Sequence, residues 1–287
     1  MPAPATTYDD DLELLRSSAV AAGIIASGFF RRDVKSWTKE NASPVSEADI
    51  LVDRYLASSL LHARPDYGWL SEETADNPSR LACERVFVVD PIDGTRGFLR
   101  GEDSWTVSLA VVEHGIPVAG VVYAPVRDEM YAAARGQGAR LNGTLIRRNR
   151  RAGAAPVIPA AGAVHQEMQA AGLNYTRGPY YPSLAYRLVQ VATGKLDAVA
   201  SRRGSQDWDI AAAALILDEC GVDLADVCAG FPQFNRRDVR HGALAALGDM
   251  SLKPHVHAAL IKVYGCPSAE DGDAEQLHSL QTDQTDG

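Results

Sequence analysis

One ten-residue segment, 86–95, constrains the fold of this chain more than any other. Its first four residues are apolar (Val-Phe-Val-Val), which is typical of a buried strand, and the next six read Asp-Pro-Ile-Asp-Gly-Thr. We expect the strand to deliver Asp90 and Asp93 to its carboxyl end, where the proline restricts the backbone and Gly94 allows a turn. Two carboxylates and the carbonyl of Ile92 would suit Mg²⁺. The segment also fits an ordinary strand-to-turn junction, in which Asp is a common residue.

Three other acidic positions accompany this segment, and each has a simple structural explanation. Glu72, with Glu73 beside it, fits a solvated turn. Asp209 precedes an Ala/Leu-rich stretch and fits an acid at a helix N-terminus. Asp49 fits the third helical position of a capping box that begins at Ser46. None of the three predicts a functional site by itself.

Hydrophobic periodicity predicts an α+β chain. Helices are expected over residues 8–30, 46–62, 183–192 and 210–220, and strands over 86–89, 105–112, 116–123, 130–134 and 196–200. Two helices followed by an antiparallel run indicate an α+β half over residues 1–150. Alternating helix and strand then indicate an α/β half over 151–266, with an Arg-rich boundary at 147–151.

The acidic balance of the chain excludes some classes of partner. The chain has 28 Lys and Arg against 37 Asp and Glu, so its formal net charge is −9. This balance argues against nucleic acid and against an anionic membrane surface, because both attract clustered basic residues. Six acids and no Lys or Arg fall in residues 267–287, which we expect to be a disordered tail, and without those six the net charge is −3.

The cysteines and the N-terminal stretch favour a reduced, cytoplasmic protein. The four cysteines show no Cys-x-x-Cys pair and no Cys/His ligand spacing, so neither a zinc site nor a disulfide framework is expected. The apolar patch 19–26 follows acidic residues rather than the basic ones of an export signal. No run of residues reaches the roughly 18 apolar positions that a membrane helix needs.

Taken in order along the chain, the acidic positions resemble one family. Asp49, Glu72, the Asp-Pro-Ile-Asp-Gly-Thr string and Trp208-Asp209 are similar to the motifs of the inositol monophosphatase superfamily of Mg²⁺-dependent, often lithium-sensitive phosphatases. The resemblance implies a layered α/β/α/β/α sandwich of two closely packed halves, with the metal site between them. It also implies hydrolysis of a phosphate monoester by metal-activated water, with two or three Mg²⁺ ions in each active site.

The resemblance assigns metal ligands position by position. It places Glu72, Asp90 and the Ile92 carbonyl on a first metal, and Asp90, Asp93 and Asp209 on a second. Most of these ligands fall in the N-terminal half, whereas Asp209 belongs to the C-terminal half. A third, weakly held Mg²⁺ would lie near Glu72.

The same resemblance assigns roles in catalysis. Asp49 and Thr95 match the pair that orients and deprotonates the attacking water, and Glu72 is the further catalytic carboxylate. The backbone amides of Gly94 and Thr95 would hold the phosphate, which agrees with the affinity of helix N-termini for anions.

Substrate preference depends on a few basic residues. Arg202 stands where many inositol monophosphatases have a Glu that receives sugar hydroxyls, although a solvated loop would explain it equally well. Lys39 and Arg187 stand where 3′(2′),5′-bisphosphate nucleotidases tend to have Lys. These residues favour a small substrate with a second anionic group, such as adenosine 3′,5′-bisphosphate, which would be converted to AMP. Tyr180 and Tyr181 could stack on a base, but simple packing is the more common role of such residues.

Alternatives to the nucleotidase remain open. Arg96-Gly97 after the Asp-Gly-Thr string matches neither subgroup, so an inositol-1-monophosphatase is the second candidate. A noncatalytic binding or regulatory module on the same fold is the third, and the presence of all five carboxylates argues against it. Some relatives form homodimers, but no residue pattern here identifies an interface.

Overall fold

A computed structural model describes residues 7–39, 43–148 and 154–266. The described α-helices are α1 Tyr8–Ser27, α2 Glu47–Ala63, α3 Thr95–Leu99, α4 Gly162–Ala170, α5 Leu184–Ala192, α6 Asp207–Asp218 and α7 Lys253–Tyr264. The described strands are β1 Ser36–Thr38, β2 Pro44–Ser46, β3 Gly68–Ser71, β4 Arg85–Asp93, β5 Thr106–Glu113, β6 Ile116–Ala124, β7 Glu129–Ala134, β8 Ala139–Leu141, β9 Thr144–Leu145, β10 Val157–Ile158, β11 Thr176–Arg177, β12 Ala198–Ser201, β13 Asp223–Asp226 and β14 Leu244–Leu247. The expected tail, 267–287, lies outside the described residues, as do residues 149–151 of the Arg-rich boundary.

A seven-stranded sheet forms the centre of the N-terminal half. Its strand order is β3-β4-β5-β6-β7-β8-β9, with β3 parallel to β4 and each later neighbour antiparallel. Alternate residues of β4 enter different cores: Val86 and Val88 face one side of the sheet, and Phe87 and Val89 face the other. Both faces of the sheet are therefore covered, which explains why the sequence of β4 is continuously apolar.

The layers alternate between helices and sheets. Helices α1 and α2 cover one face of the large sheet, and α5 and α6 cover the other. On the far side of α5 and α6 lies a three-stranded sheet, β12-β14-β13, and its outer face carries α4 and α7. The predicted α+β class and the α/β/α/β/α sandwich are both confirmed.

The C-terminal half differs from its prediction in one respect. Its helices and strands alternate as expected, but β14 pairs antiparallel with both β12 and β13, so the three-stranded sheet is not the parallel sheet of an α/β unit. The last strand inserts between the two earlier ones. Spacing along the chain does not reveal this order, because β14 pairs with the preceding strand β13 and also with β12, from which α6 and β13 separate it.

Some predicted boundaries also shift. Helix α1 ends at Ser27 instead of residue 30, and β4 continues to Asp93 instead of ending at residue 89. The strand continues because an irregularity in its pairing with β5 accommodates the proline.

The expectation of no disulfide is wrong. Cys228 follows β13 and Cys266 follows α7, and the two are joined by a disulfide across a Cα–Cα distance of 5.6 Å. The two cysteines are 38 residues apart and belong to no motif, so only the packing of α7 on the small sheet brings them together. Among the described residues, no helix combines the length and apolarity that a membrane crossing requires.

Candidate active site

The end of β4 carries a bulge that turns two acidic side chains to the same side. Asp90 pairs with Ser108 of β5 and Asp93 pairs with Thr106, so β4 has one more residue than its partner in this interval. In a regular strand, residues three positions apart point to opposite faces of the sheet. Because of the extra residue, the side chains of Asp90 and Asp93 point to the same side of the sheet. Both are buried, with exposed fractions of 1% and 5%.

Gly94 allows the chain to turn from β4 into α3. Its φ of +92° lies in the left-handed region, which is unfavourable for residues other than glycine. A Cβ atom at this position would also lie 2.9 Å from the backbone nitrogen of Ser183. Both the conformation and the close approach of the next segment therefore require glycine here.

Asp209 approaches the two acids of β4 from the opposite half of the molecule. It is the third residue of α6, and its Oδ2 accepts a hydrogen bond of 2.7 Å from the backbone nitrogen of Gln206 in a capping box. Asp90, Asp93 and Asp209 each place a carboxylate oxygen within 4.8 Å of the other two. Three of the side chains predicted to bind a metal therefore lie together between the halves.

The first turn of α5 fixes the carboxylate of Asp93. Asp93 Oδ2 accepts hydrogen bonds from Ser183 Oγ at 2.6 Å and from the Ala185 nitrogen at 2.7 Å, and Oδ1 accepts one from the Leu184 nitrogen at 3.3 Å. These bonds join the two halves at the acidic cluster. Each donor also stabilises the charged form of the Asp93 carboxylate, so these bonds oppose the effect of burial on its pKa.

The electrostatics of the cluster favour a cation. Burial raises the pKa of Asp90 and of Asp209 well above the usual range, and the neighbouring carboxylates raise both further. Burial likewise raises the pKa of Asp93, although the bonds from Ser183 and α5 oppose the effect. A divalent cation held by hard oxygen ligands would relieve this repulsion, so the residues present fit Mg²⁺.

Glu72 lies at the edge of the acidic cluster and also forms an ion pair with a lysine. It follows β3, and its nitrogen donates a hydrogen bond to the Val89 carbonyl at 3.2 Å, which places its side chain next to Asp90. Lys39 Nζ lies 3.2 Å from Glu72 Oε1 and 2.7 Å from Glu73 Oε1. Burial raises the pKa of Glu73 to about 7 despite the lysine. Lys39, expected at the substrate, thus contacts these two carboxylates.

Asp49 and Thr95 are brought into contact, as expected for a pair that acts together. Thr95 Oγ1 lies 3.1 Å from Asp49 Oδ1 and 3.1 Å from the Ile92 carbonyl oxygen. The other oxygen of Asp49 accepts a hydrogen bond from the Ser46 nitrogen at 2.8 Å, which completes the predicted capping box of α2. Burial raises the pKa of Asp49 to about 6, so this carboxyl is mostly ionised at neutral pH.

The acidic cluster lies at the bottom of a cavity of about 590 Å³ whose wall is rich in arginine. Arg187 of α5 is 9% exposed, and its guanidinium is close enough to Asp93 and Asp209 to interact with both electrostatically. Arg202, an exposed residue after β12, lines the same cavity. The wall also contains Tyr180 and three residues that the sequence prediction did not assign to the substrate: Arg96, Arg100 and Ser205.

The most important residue that sequence reasoning missed is Ser183. Its hydroxyl contacts Asp93, and it caps α5 by accepting a hydrogen bond of 2.8 Å from the Tyr186 nitrogen. A serine at the start of a predicted helix was visible in the sequence as a capping residue. Its contact with the acidic cluster depends on the packing of α5 against β4, which no local pattern reveals.

The layered sandwich brings carboxylates from both halves into one arginine-lined cavity. Comparison with known proteins identifies the family. The model of the inositol monophosphatase family matches residues 9–263. An inositol-1-monophosphatase of Rhizobium meliloti is 33% identical over 193 residues, which cover 64% of this chain and 72% of that protein.

Two further similarities agree with this result. The 3′(2′),5′-bisphosphate nucleotidase CysQ of Escherichia coli is 39% identical over 132 residues, which cover 45% of this chain and 52% of CysQ. The crystal structure of the extragenic suppressor protein SuhB from Bartonella henselae superposes with a TM-score of 0.74 at 28% identity, over 86% of this chain and 97% of that one. The chain belongs to the inositol monophosphatase family, and it is accordingly a phosphoric monoester hydrolase.

Proposed function

We propose that this protein is a Mg²⁺-dependent phosphatase whose preferred substrate is a nucleoside 3′,5′-bisphosphate such as adenosine 3′,5′-bisphosphate. The observation that carries the proposal is the juxtaposition, in one cavity, of the acidic cluster with Arg187 and Arg202. The cluster suits a metal-bound phosphate, and the two guanidiniums suit a second anionic group on the same molecule.

The ligands of the metal in this proposal are Glu72, Asp90, Asp93, Asp209 and the carbonyl of Ile92. Bound Mg²⁺ would supply positive charge for the phosphate and for the oxygen atoms that gain negative charge during hydrolysis. Asp93 is held ready for this role by Ser183 and the first turn of α5. Asp90 is held by the Ile92 nitrogen, which donates to its Oδ1 at 3.0 Å.

Asp49 and Thr95 would activate the attacking water. The water would donate a proton to Thr95 Oγ1, and the Thr95 hydroxyl would pass its own proton to Asp49 Oδ1, 3.1 Å away. The water oxygen then forms a bond to phosphorus while the ester bond between phosphorus and the leaving oxygen breaks. The leaving oxygen takes a proton from solvent, and inorganic phosphate and the alcohol are released.

Arg187 would select the second anionic group. Arg187 lines the cavity and is only 9% exposed, so bulk water screens its charge little. Arg202 stands at the same cavity from the C-terminal half. A polyol offers these guanidiniums no charge, whereas a second phosphate accepts several hydrogen bonds from them.

Inositol-1-monophosphatase activity is the second candidate. It is supported by the R. meliloti relative, whose similarity covers more of both chains than that of CysQ. The two candidates make different demands on Arg202, because the sugar hydroxyls of an inositol phosphate need an acceptor and the nucleotide phosphate needs a donor.

A panel of phosphate esters at millimolar Mg²⁺ tests the proposal. We expect kcat/KM for adenosine 3′,5′-bisphosphate to exceed that for myo-inositol 1-phosphate, and we expect Arg202→Glu to reduce this preference by about tenfold or more. A preference for inositol phosphate in the wild-type enzyme would reverse the order of the two candidates. Absence of phosphate release from every ester would favour the noncatalytic alternative.

A further inference from the structure

The mouth of the cavity carries an aromatic ring in an unusual environment. Tyr180 is 68% exposed, which makes it the most exposed aromatic side chain among the described residues. It lines the same cavity as the acidic cluster. A large ring left in water at the entrance of a polar cavity offers a face for a ligand.

The inner face of this ring is already occupied, and the arrangement holds the ring in place. The guanidinium carbon of Arg187 lies 4.7 Å from the centroid of the Tyr180 ring. Arg187 is itself buried in α5, and its Nε donates to the Ser183 carbonyl at 3.4 Å. Arg187 therefore covers one face of the ring, and the exposure of Tyr180 leaves the rest of the ring accessible to a ligand at the cavity.

The neighbouring Tyr181, unlike Tyr180, is packed against other side chains of the protein. Tyr181 packs edge-on against Tyr186 with centroids 5.0 Å apart, and the guanidinium of Arg127 covers it at 5.6 Å. Its role is packing within the protein. Of the two adjacent tyrosines, only Tyr180 has the exposure and the position to contact a substrate.

The loop that carries Tyr180 is also anchored just after that residue. Pro182 contacts Gly97 of α3 so closely that a Cβ atom at Gly97 would collide with the proline ring. The next residue, Ser183, is bonded to Asp93. Because these two anchors lie two and three residues after Tyr180, they restrict the backbone that carries the ring and reduce the conformational entropy lost when a ligand stacks on it.

We propose that Tyr180, backed by Arg187, is a stacking platform for a planar heteroaromatic ring, so the enzyme selects phosphate esters of nucleosides over those of plain sugars and polyols. The inference rests on the proposed function for the position of the phosphate at the acidic cluster. It adds a specificity residue that acts on the base and not on the phosphate. Stacking of a base on an aromatic side chain corresponds to about a tenfold gain in affinity.

AMP and ribose 5-phosphate make a matched pair of probes, because they share the sugar and the phosphate and differ by the base. We expect calorimetric titration at millimolar Mg²⁺ to show AMP binding about tenfold more tightly than ribose 5-phosphate. Tyr180→Leu keeps an apolar cover on Arg187 but removes the stacking face, so the ratio should fall below about twofold. Tyr180→Phe keeps the ring and should keep most of the ratio.

Two outcomes would overturn the inference: equal binding of AMP and ribose 5-phosphate by the wild-type protein, or an unchanged ratio in Tyr180→Leu. The second would mean that Tyr180 only covers Arg187. Phosphate release from adenosine 3′,5′-bisphosphate is measured separately, so failure of the proposed reaction is distinguished from failure of the platform. If phosphate is released but the ratio of AMP to ribose 5-phosphate affinity does not depend on Tyr180, only the stacking platform is contradicted. If the ratio depends on Tyr180 but no phosphate is released, only the proposed reaction is contradicted.

Discussion

Ser183 Oγ donates a hydrogen bond of 2.6 Å to Asp93 Oδ2, and this bond joins the end of β4 to the start of α5. The two residues are 90 positions apart in the chain and belong to different halves of the sandwich. The same hydroxyl caps α5 through the Tyr186 nitrogen. One side chain therefore connects the stability of a helix to the orientation of a carboxylate in the acidic cluster.

Ser183→Ala should lower both stability and Mg²⁺ affinity. Loss of the cap and of a hydrogen bond to a carboxylate should reduce the free energy of unfolding by about 2 kcal/mol. Loss of a residue that orients a metal ligand should raise the half-saturating Mg²⁺ concentration by about tenfold. Denaturant unfolding and Mg²⁺ titration of phosphate release measure the two effects.

Thr7→Ala is the matched control for this change. Thr7 caps α1 through the Asp10 nitrogen and does not line the cavity. This variant should lose about 1 kcal/mol of stability and keep its Mg²⁺ dependence. If Ser183→Ala also kept its Mg²⁺ dependence, Ser183 would be only a helix cap.

Gly94→Ala should damage the site, whereas Gly136→Ala should be mild. Both glycines have positive φ, +92° and +81°, but a Cβ at Gly94 would collide with the Ser183 nitrogen and a Cβ at Gly136 would meet nothing within 4 Å. Gly136→Ala should therefore cost only the conformational penalty of about 1 kcal/mol. Gly94→Ala should cost more than about 2 kcal/mol and lower kcat by about a hundredfold, because β4 and α5 must separate. Equal effects of the two substitutions on stability and kcat would contradict this role of Gly94.

The metal-free protein should become less stable as pH rises through the range of the acidic cluster. Asp90, Asp93 and Asp209 have raised pKa values in the folded protein, and that of Asp49 is about 6. Between the unfolded pKa of about 4 and the folded values, the folded protein binds more protons than the unfolded chain. The stability that these groups contribute is thus present at low pH and is lost as pH increases. Melting temperatures measured between about pH 5 and pH 7.5 in chelator should fall, and Mg²⁺ should restore them.

Asp209→Asn tests whether the acidic cluster, and not titratable groups elsewhere in the protein, causes the loss of stability at higher pH. Removing one carboxylate relieves repulsion in the cluster, so the metal-free variant should show a shallower pH dependence and a smaller response to Mg²⁺. Asp218→Asn, at the exposed end of the same helix, should behave like the wild-type protein. An identical pH dependence in Asp209→Asn and the wild type would mean that other groups cause the loss of stability.

Lys39→Gln tests whether the lysine serves the carboxylates or the substrate. Its ammonium contacts Glu72 and Glu73, so its removal should strengthen the attraction of this region for Mg²⁺. We expect the half-saturating Mg²⁺ concentration to fall by about fivefold, which corresponds to about 1 kcal/mol. Lys195→Gln, which breaks the ion pair with Glu129 outside the cavity, is the control. A higher KM for the bisphosphate with unchanged Mg²⁺ dependence would instead support the predicted substrate contact.

Local signals in the sequence predicted a large part of the site. The apolar strand before Asp90, the glycine at 94 and the capping box at Asp49 are each encoded within a few neighbouring residues. The structure confirms these local features. The five-layer arrangement came from the family resemblance and not from periodicity.

The remaining features depend on contacts between distant segments. The attachment of Ser183 to Asp93, the pairing of Lys39 with Glu73 and the disulfide of Cys228 all join residues more than thirty positions apart. The pairing of β14 with β12, across α6 and β13, is another such case. These contacts depend on the packing of complete layers, so short sequence patterns do not predict them.

Asp90→Asn provides the most direct test of the central claim, that the acidic cluster holds the Mg²⁺ on which phosphate release depends. Asp90 is 1% exposed and lies beside Glu72, Asp93 and Asp209, so a neutral side chain of the same size removes charge without leaving a cavity. The measurement is Mg²⁺-dependent release of phosphate from adenosine 3′,5′-bisphosphate by the variant, with circular dichroism to verify folding. We predict a folded protein whose turnover is lower by about a thousandfold or more. A folded variant with turnover near that of the wild type would contradict the account.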